Sequence, residues 1–278
     1  MKVFLILLAA FLISGCQGSV ETPTQTLPTS TPSQTATQTQ TATLPPLPTA
    51  LPPTPTITPI PFQVCSPLEG ETFNTLPEIL QVPLVIPPIG KDEGHHGLDF
   101  AYYQRGDRGS IQGVEIYAIL SGHAVLTLED VIPYGYTILI ETPLTQLPPT
   151  LQDTLLGAYQ PIPENVIYQG ECPEFTPPED TAEMSVYHLY AHFTALPPYK
   201  PGDPIACGER LGIVGNTGRS SNPHLHLETR LGPSGADFPS MAFYGPSYSE
   251  EQRANYCLWR MSGHYQLFDP FLLFSIQE

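Results

Sequence analysis

The stretch from residue 17 to 61 most constrains what this chain can fold into, because it cannot build a core. It is almost wholly Thr, Pro, Gln, Ser, Ala and Leu, with Glu21 as its single charge and no aromatic residue. Such a segment buries too little apolar surface to offset its ordering entropy. Its Thr-Pro pattern favours extended polyproline-like structure, and about 45 residues at ~3.1 Å each would reach roughly 140 Å. A folded domain must therefore come from residues 62–278, enough for one sizeable core.

Ahead of this stretch, Met1-Lys2 precedes an apolar run from Val3 to Ile13, too short to span a bilayer and the right length for a signal-peptide core. It ends in Leu12-Ile13-Ser14-Gly15-Cys16, which resembles a bacterial lipobox. The resemblance implies a signal over 1–15, cleavage before Cys16 and lipidation of that cysteine. Two or more acyl chains would be needed for stable anchoring. Residues 16–61 then read as a disordered stalk on a membrane-anchored, extracytoplasmic lipoprotein. An ordinary signal peptide with a chance cysteine is the competing reading.

The formal charge is −17, nearly all of the acid lying after residue 61. An acidic chain is a poor partner for nucleic acid or for an anionic membrane surface. Cys65, Cys172, Cys207 and Cys257 remain beyond Cys16, and an even number in an exported protein suggests two disulfides. Of the three pairings, Cys65–Cys257 with Cys172–Cys207 is the favoured expectation.

Short β-branched and aromatic runs recur between turn residues: 113–119, 123–128, 136–141, 186–192, 211–214 and 224–230. The first two read as a hairpin closed by Ser121-Gly122. The expected class is all-β, mainly antiparallel. Two parts fall outside a core of 90–232. A Pro-rich insertion occupies 142–185, with one short helix over 150–158, and an extension follows over 233–278. Long connections of this kind often form lids or binding loops.

Two short strings carry the chemistry: His95-His96-Gly97-Leu98-Asp99 and Pro223-His224-Leu225-His226, with Tyr190-Ala191-His192 between them. On a strand, residues two or four apart share a face, so His95 pairs with Asp99, and His224 with His226. Two imidazoles and a carboxylate can hold one zinc and leave a position open for water. Two further histidines can then move protons. Residue types alone leave manganese and iron open.

These motifs, in this order, resemble those of the lysostaphin- and LytM-type zinc peptidases, which cut the peptide part of peptidoglycan. Further matches are Val114-Glu115-Ile116-Tyr117-Ala118 with Ser121-Gly122, Tyr134-Gly135-Tyr136, Pro201-Gly202-Asp203, and Val214-Gly215-Asn216-Thr217-Gly218 ahead of Pro223. The resemblance implies His95, Asp99 and His226 as ligands of one Zn2+, and His192 and His224 as catalytic imidazoles. His224 would be the general base, and His192 would stabilise the oxyanion. It implies a zinc endopeptidase whose partners are stem peptides or cross-bridges of the wall. A non-catalytic peptidoglycan-binding or regulatory module of the same fold is the alternative. The insertion is expected to reshape the substrate groove.

Other residues have plainer readings. His96 should point to the face opposite His95, and a register slip that swapped them would break the face shared with Asp99. His188, four from His192, either lines the groove or is a satisfied strand histidine. His123 and His264 have no partner motif. Glu228 supports a ligand from behind or pairs with Arg230. Gly215 and Gly218 read as turn residues, and Ser220 and Ser221 lack a nucleophile-elbow setting.

Overall fold

The β-branched and aromatic runs form ten strands among the described residues: β1 (Leu80–Val82), β2 (Leu98–Phe100), β3 (Glu115–Tyr117), β4 (Gly122–Val131), β5 (Gly135–Pro143), β6 (Met184–Phe193), β7 (Pro204–Ile205), β8 (Arg210–Ile213), β9 (Leu225–Pro233) and β10 (Gln266–Leu267). The structure is a computed structural model that describes residues 62–170, 172–178 and 182–277. The expected signal, Cys16 and the stalk lie outside the described residues. Eight strands form one antiparallel sheet in the order β1-β2-β9-β6-β5-β4-β7, with β10 also on β9, and β3 pairs β8 in a second sheet. The all-β, mainly antiparallel expectation holds.

The expected hairpin does not form. β3 joins β8, while β4 pairs β5 and β7. The link Ala118-Ile119-Leu120 is fully buried, and its polar groups are taken from a distance. Ala118 N donates to the Glu209 carbonyl, Ile119 N to the Tyr190 hydroxyl oxygen, and the Ile119 carbonyl accepts from Cys65 N. A hairpin would leave those groups unpaired in the core.

Strand alternation splits the core in two. Leu225, Leu227 and Leu231 of β9 face a cluster that includes Val186, Tyr190, Phe193 and Phe100. On the other face of the sheet Tyr187, Leu189 and Ala191 pack in a cluster with Trp259, Tyr256 and Phe238 from the C-terminal extension. The helices are α1 (Pro149–Ala158), α2 (Glu250–Arg260) and α3 (Phe271–Phe274). α2 starts at a capping box: Ser249 Oγ accepts from Gln252 N, and the Gln252 side chain accepts from Ser249 N. Glu250 and Glu251 complement its N-terminal dipole.

Both disulfide expectations are corrected. Cys65 pairs with Cys207, and Cys172 with Cys257. Cys65 cannot reach α2, because its segment is laid along the buried Ala118–Leu120 link beside the turn that carries Cys207. The second bond ties the insertion to α2.

Candidate active site

β2 lies beside β9 with Asp99 and His226 as Cα partners. This register brings Asp99 Oδ1 to 2.7 Å from His226 Nδ1, 3.1 Å from His95 Nε2 and 3.5 Å from His224 Nε2. His95 arrives on a short bridge to Val85, and its Nδ1 lies 3.1 Å from the Pro83 carbonyl. A carbonyl only accepts, so Nδ1 carries the proton and Nε2 is left as a lone pair toward Asp99. Residues 80–85, before the expected core boundary of 90, therefore set the orientation of His95.

His192 reaches the same place by a break in alternation. β6 carries one extra residue against β5 between the Tyr190 and Phe193 pairings, and His192 has φ +64. Without this bulge His192 would share the face of Val186, His188 and Tyr190. Instead Phe193 takes that face, and His192 turns to within 4.6 Å of the His224 ring, centroid to centroid. His188 stays behind, fully buried between Thr142 and the Tyr190 hydroxyl. The expected face-sharing of His188 and His192 is thus broken, and His188 is a satisfied strand histidine.

The two imidazoles are held alike. His192 Nδ1 lies 2.8 Å from the Thr217 carbonyl, and His224 Nδ1 2.8 Å from the Asn222 carbonyl. Each neutral ring therefore protonates Nδ1 and presents an Nε2 lone pair. Burial pushes both down from 6.5, His192 to about 3, where His226 and His224 add to the effect. Gly218, at φ +72, and Gly215, where a Cβ would strike the backbone of Phe193 and Thr194, let the 215–218 loop press Thr217 against His192.

His226 sits between two carboxylates, Asp99 on Nδ1 and Glu228 Oε1 on Nε2 at 3.2 Å. Burial opposes a charged ring, but both partners raise it to about 9. Burial likewise opposes a charged Asp99, yet the hydrogen bond from His226 and the charge on that ring hold its carboxyl below the usual range. Positive charge is therefore favoured between Asp99 and His226. The donor atoms of His95, Asp99 and His226 lie within 4.8 Å of one another, and so do those of His192, His224 and His226. The first set includes the carboxylate and suits a zinc ion. A divalent cation there would displace the Nδ1 proton of His226, while Nε2–H still donates to Glu228.

Glu228 makes both contacts read for it, to His226 and to Arg230. Fully buried, it accepts from the Tyr134 hydroxyl (2.9 Å), Trp259 Nε1 (3.2 Å) and Arg230 Nη2 (3.0 Å), with Arg260 Nη1 at 3.4 Å. Arg260 continues the network to Asp92 at 2.7 Å, which also accepts from the Tyr244 and Tyr256 hydroxyls. His96 belongs here and not to an opposite face. Its Nδ1 lies 2.9 Å from Arg230 Nη2 and must accept. Burial, then Arg260 and Arg230, lower it to about 2.

The histidines, Asp99, Asp92 and Tyr134 line a cleft of about 610 Å³. One wall carries Val82 and Tyr103, and another carries Tyr244, Tyr256 and Arg260 from the extension. None of the insertion's described residues lines it, which corrects the expectation that 142–185 reshapes the groove. The insertion braces the loop before His95 instead: Gln169 N donates to the Gly90 carbonyl, and Asp92 N to Gln169 Oε1. Asp92, Arg260 and Tyr244 carry no motif in the sequence. The readable signal was Ser249-Glu250-Glu251-Gln252, which marks the start of a helix carrying Tyr256, Trp259 and Arg260 on one stretch.

Residues 181–237 match Peptidase family M23, which agrees with the resemblance read from the motifs. The match takes in His192, His224 and His226 and stops short of His95 and Asp99. The DD-carboxypeptidases/endopeptidases Mpg of Neisseria meningitidis and Neisseria gonorrhoeae are 36% identical over 66 residues, 24% of this chain and 15% of theirs. Among solved structures, the catalytic domain of lysostaphin from Staphylococcus simulans is 18% identical, covering 73% of this chain and 98% of that one, with a TM-score of 0.36. A zinc-containing peptidase from Vibrio cholerae is 17% identical, covering 60% and 33%, with a TM-score of 0.29.

Proposed function

We propose that this chain is a zinc-dependent endopeptidase that hydrolyses peptide cross-links of bacterial peptidoglycan. The observation that carries this reading is the convergence of His95 Nε2, Asp99 Oδ1 and His226 Nδ1 beside two imidazoles with free Nε2 atoms. Zinc held by those three atoms supplies a Lewis acid for the scissile carbonyl and lowers the pKa of the attacking water. His224, closer to Asp99, accepts the water's proton through Nε2. His192 in its neutral form can accept but not donate through Nε2, so it stabilises the oxyanion only once protonated. The proton taken up by His224 is then available to the leaving amine, and the His192 ring, 4.6 Å away centroid to centroid, lies beside the same path.

Support for the wall as substrate comes from the Peptidase family M23 match and from the Mpg relatives, over the shared segment. The Cys16 lipobox supports a stalked lipoprotein outside the cytoplasm, and Cys16→Ala should move the protein from the membrane to the soluble fraction. The deciding experiment compares zinc content and muropeptide release for the wild type and His226→Ala. Wild type should hold one zinc per chain and release muropeptides; the variant should lose both. A wild type that binds wall without cleaving it would instead be a binding or regulatory module.

A further inference from the structure

Cations are scarce in this chain, with 10 Lys and Arg against 27 Asp and Glu. Two arginines nonetheless line the cleft. Arg260 is neutralised from both sides, by Asp92 and Glu228. Arg219 is different. It is exposed, and no carboxylate lies within ion-pair distance of it among the described residues; Arg105, Arg108, Arg210, Arg230 and Arg260 are ion-paired, and Arg253, which also has no ion pair there, lies off the cleft.

Its position is nevertheless built. The Arg219 amide donates to the Pro133 carbonyl at 2.8 Å. The guanidinium carbon lies 5.2 Å from the Tyr244 ring centroid, a stacking distance. Tyr244 is fixed in turn, with its hydroxyl on Asp92. Among the described residues the carboxylates lining the cleft are Asp92 and Asp99, already engaged by Arg260 and by the histidines. Among the charged side chains lining the cleft, an oriented guanidinium is thus the one left without a counter-charge. Its planar fork matches a carboxylate with two parallel hydrogen bonds. In a chain of charge −17, a lone cation kept on the cleft, five residues before His224, concentrates an anionic group where a strongly acidic surface would otherwise repel it.

We infer that Arg219, stacked on Tyr244, forms a subsite for a carboxylate of the peptide substrate. The inference rests on the peptidase reading and deepens it: the substrate is an acidic peptide, in contrast to a neutral glycine bridge. The carboxylate is either a free C-terminus or an acidic side chain, and the chemistry is shared.

The test uses the zinc-loaded protein and synthetic stem peptides in which the C-terminal carboxyl and the side-chain carboxyl are, one at a time, free or amidated. For the wild type, amidation of one of the two should raise KM about tenfold or more with kcat little changed, which identifies the carboxylate. Arg219→Gln should raise KM by a similar factor for the free peptide and lose the discrimination, and Arg219→Lys should recover part of it. Discrimination that survives in Arg219→Gln, or is absent from the wild type, overturns the subsite. If the zinc-loaded wild type cleaves none of the peptides, the peptidase reading fails, and calorimetric binding of the same peptides still decides the subsite. Free acid at least about tenfold tighter than amide in the wild type alone supports it; equal affinity overturns it.

Discussion

The insertion after β5 and the extension after β9 are of similar length, and both leave the sheet at the same end, yet among the described residues only the extension reaches the cleft. Pro143 pairs with Ser185, and Met184 with Pro233, so both segments start about seven residues, or roughly 20 Å, from the end where His192 and His226 sit. The insertion stays near the departure end in α1 and then runs outside the loop before His95. The extension folds back along the histidine face, because α2 has an apolar stripe of Ala254, Tyr256, Cys257, Leu258 and Trp259 to bury there. A connection's point of departure does not decide its contribution to a site. Its return path does, and that path is set by which apolar face it must cover.

Breaking the link between the extension and His226, the proposed zinc ligand, should have the largest effect. Glu228→Gln leaves Arg230 and Arg260 without their shared carboxylate, at an expected cost of about 3–5 kcal/mol. Zinc affinity should fall about 10–100-fold, because the His226 Nε2–H loses a charged acceptor. Thermal unfolding and chelator competition read the two effects separately. Unchanged zinc affinity would reduce the extension to a cover.

Next in size is the bond that joins the two segments. Replacing Cys172 and Cys257 together with Ser should cost about 2–5 kcal/mol and loosen zinc as well, since Cys257 shares α2 with Trp259 and Arg260. The corresponding Cys65 and Cys207 double variant should lose comparable stability with zinc affinity intact. Equal zinc loss in both would mean that global stability, and not α2, governs the site.

A smaller effect is expected within the insertion. Leu155→Ala in α1 removes a buried side chain and should cost about 2–4 kcal/mol. Zinc content and kcat/KM at 25 °C should stay within about twofold, because no described insertion residue lines the cleft. A tenfold fall in kcat/KM would give the insertion a role that its position denies it.

The smallest expected effect concerns acid stability. Burial holds His188 at about 3 in the folded chain against 6.5 in the unfolded one. The unfolded state therefore binds more protons between those values, so the stability from a neutral His188 is present above about pH 6.5 and is lost as pH falls toward about 3. His188→Gln keeps a donor and an acceptor for Thr142 and Tyr190 and should flatten the acid limb of Tm against pH, with zinc affinity at pH 7.5 unchanged. An unaltered acid limb would place the sensitivity in other groups.

By itself the sequence determined whatever depends on local periodicity. The spacing of the motifs put His95 with Asp99 and His224 with His226, and both pairs converge on Asp99 Oδ1, although His95 lies on a separate bridge before β2. Alternation also marked β4, β5, β6, β8 and β9 to within a few residues. Tertiary structure decided what depends on partners distant in the chain. The bulge that turns His192 from the Leu face is a single positive φ, held by Tyr134 and Thr217 on two other segments. The disulfides followed the packing of Cys65 on a buried link and of Cys172 on α2. The network from Glu228 to Asp92 joins β9, α2 and the loop before His95 across up to 168 residues. The physical reason is the range of the forces involved. Side-chain alternation and turn chemistry act over a few residues and can be read in order, whereas a buried charge must find its counter-charge wherever the fold brings one.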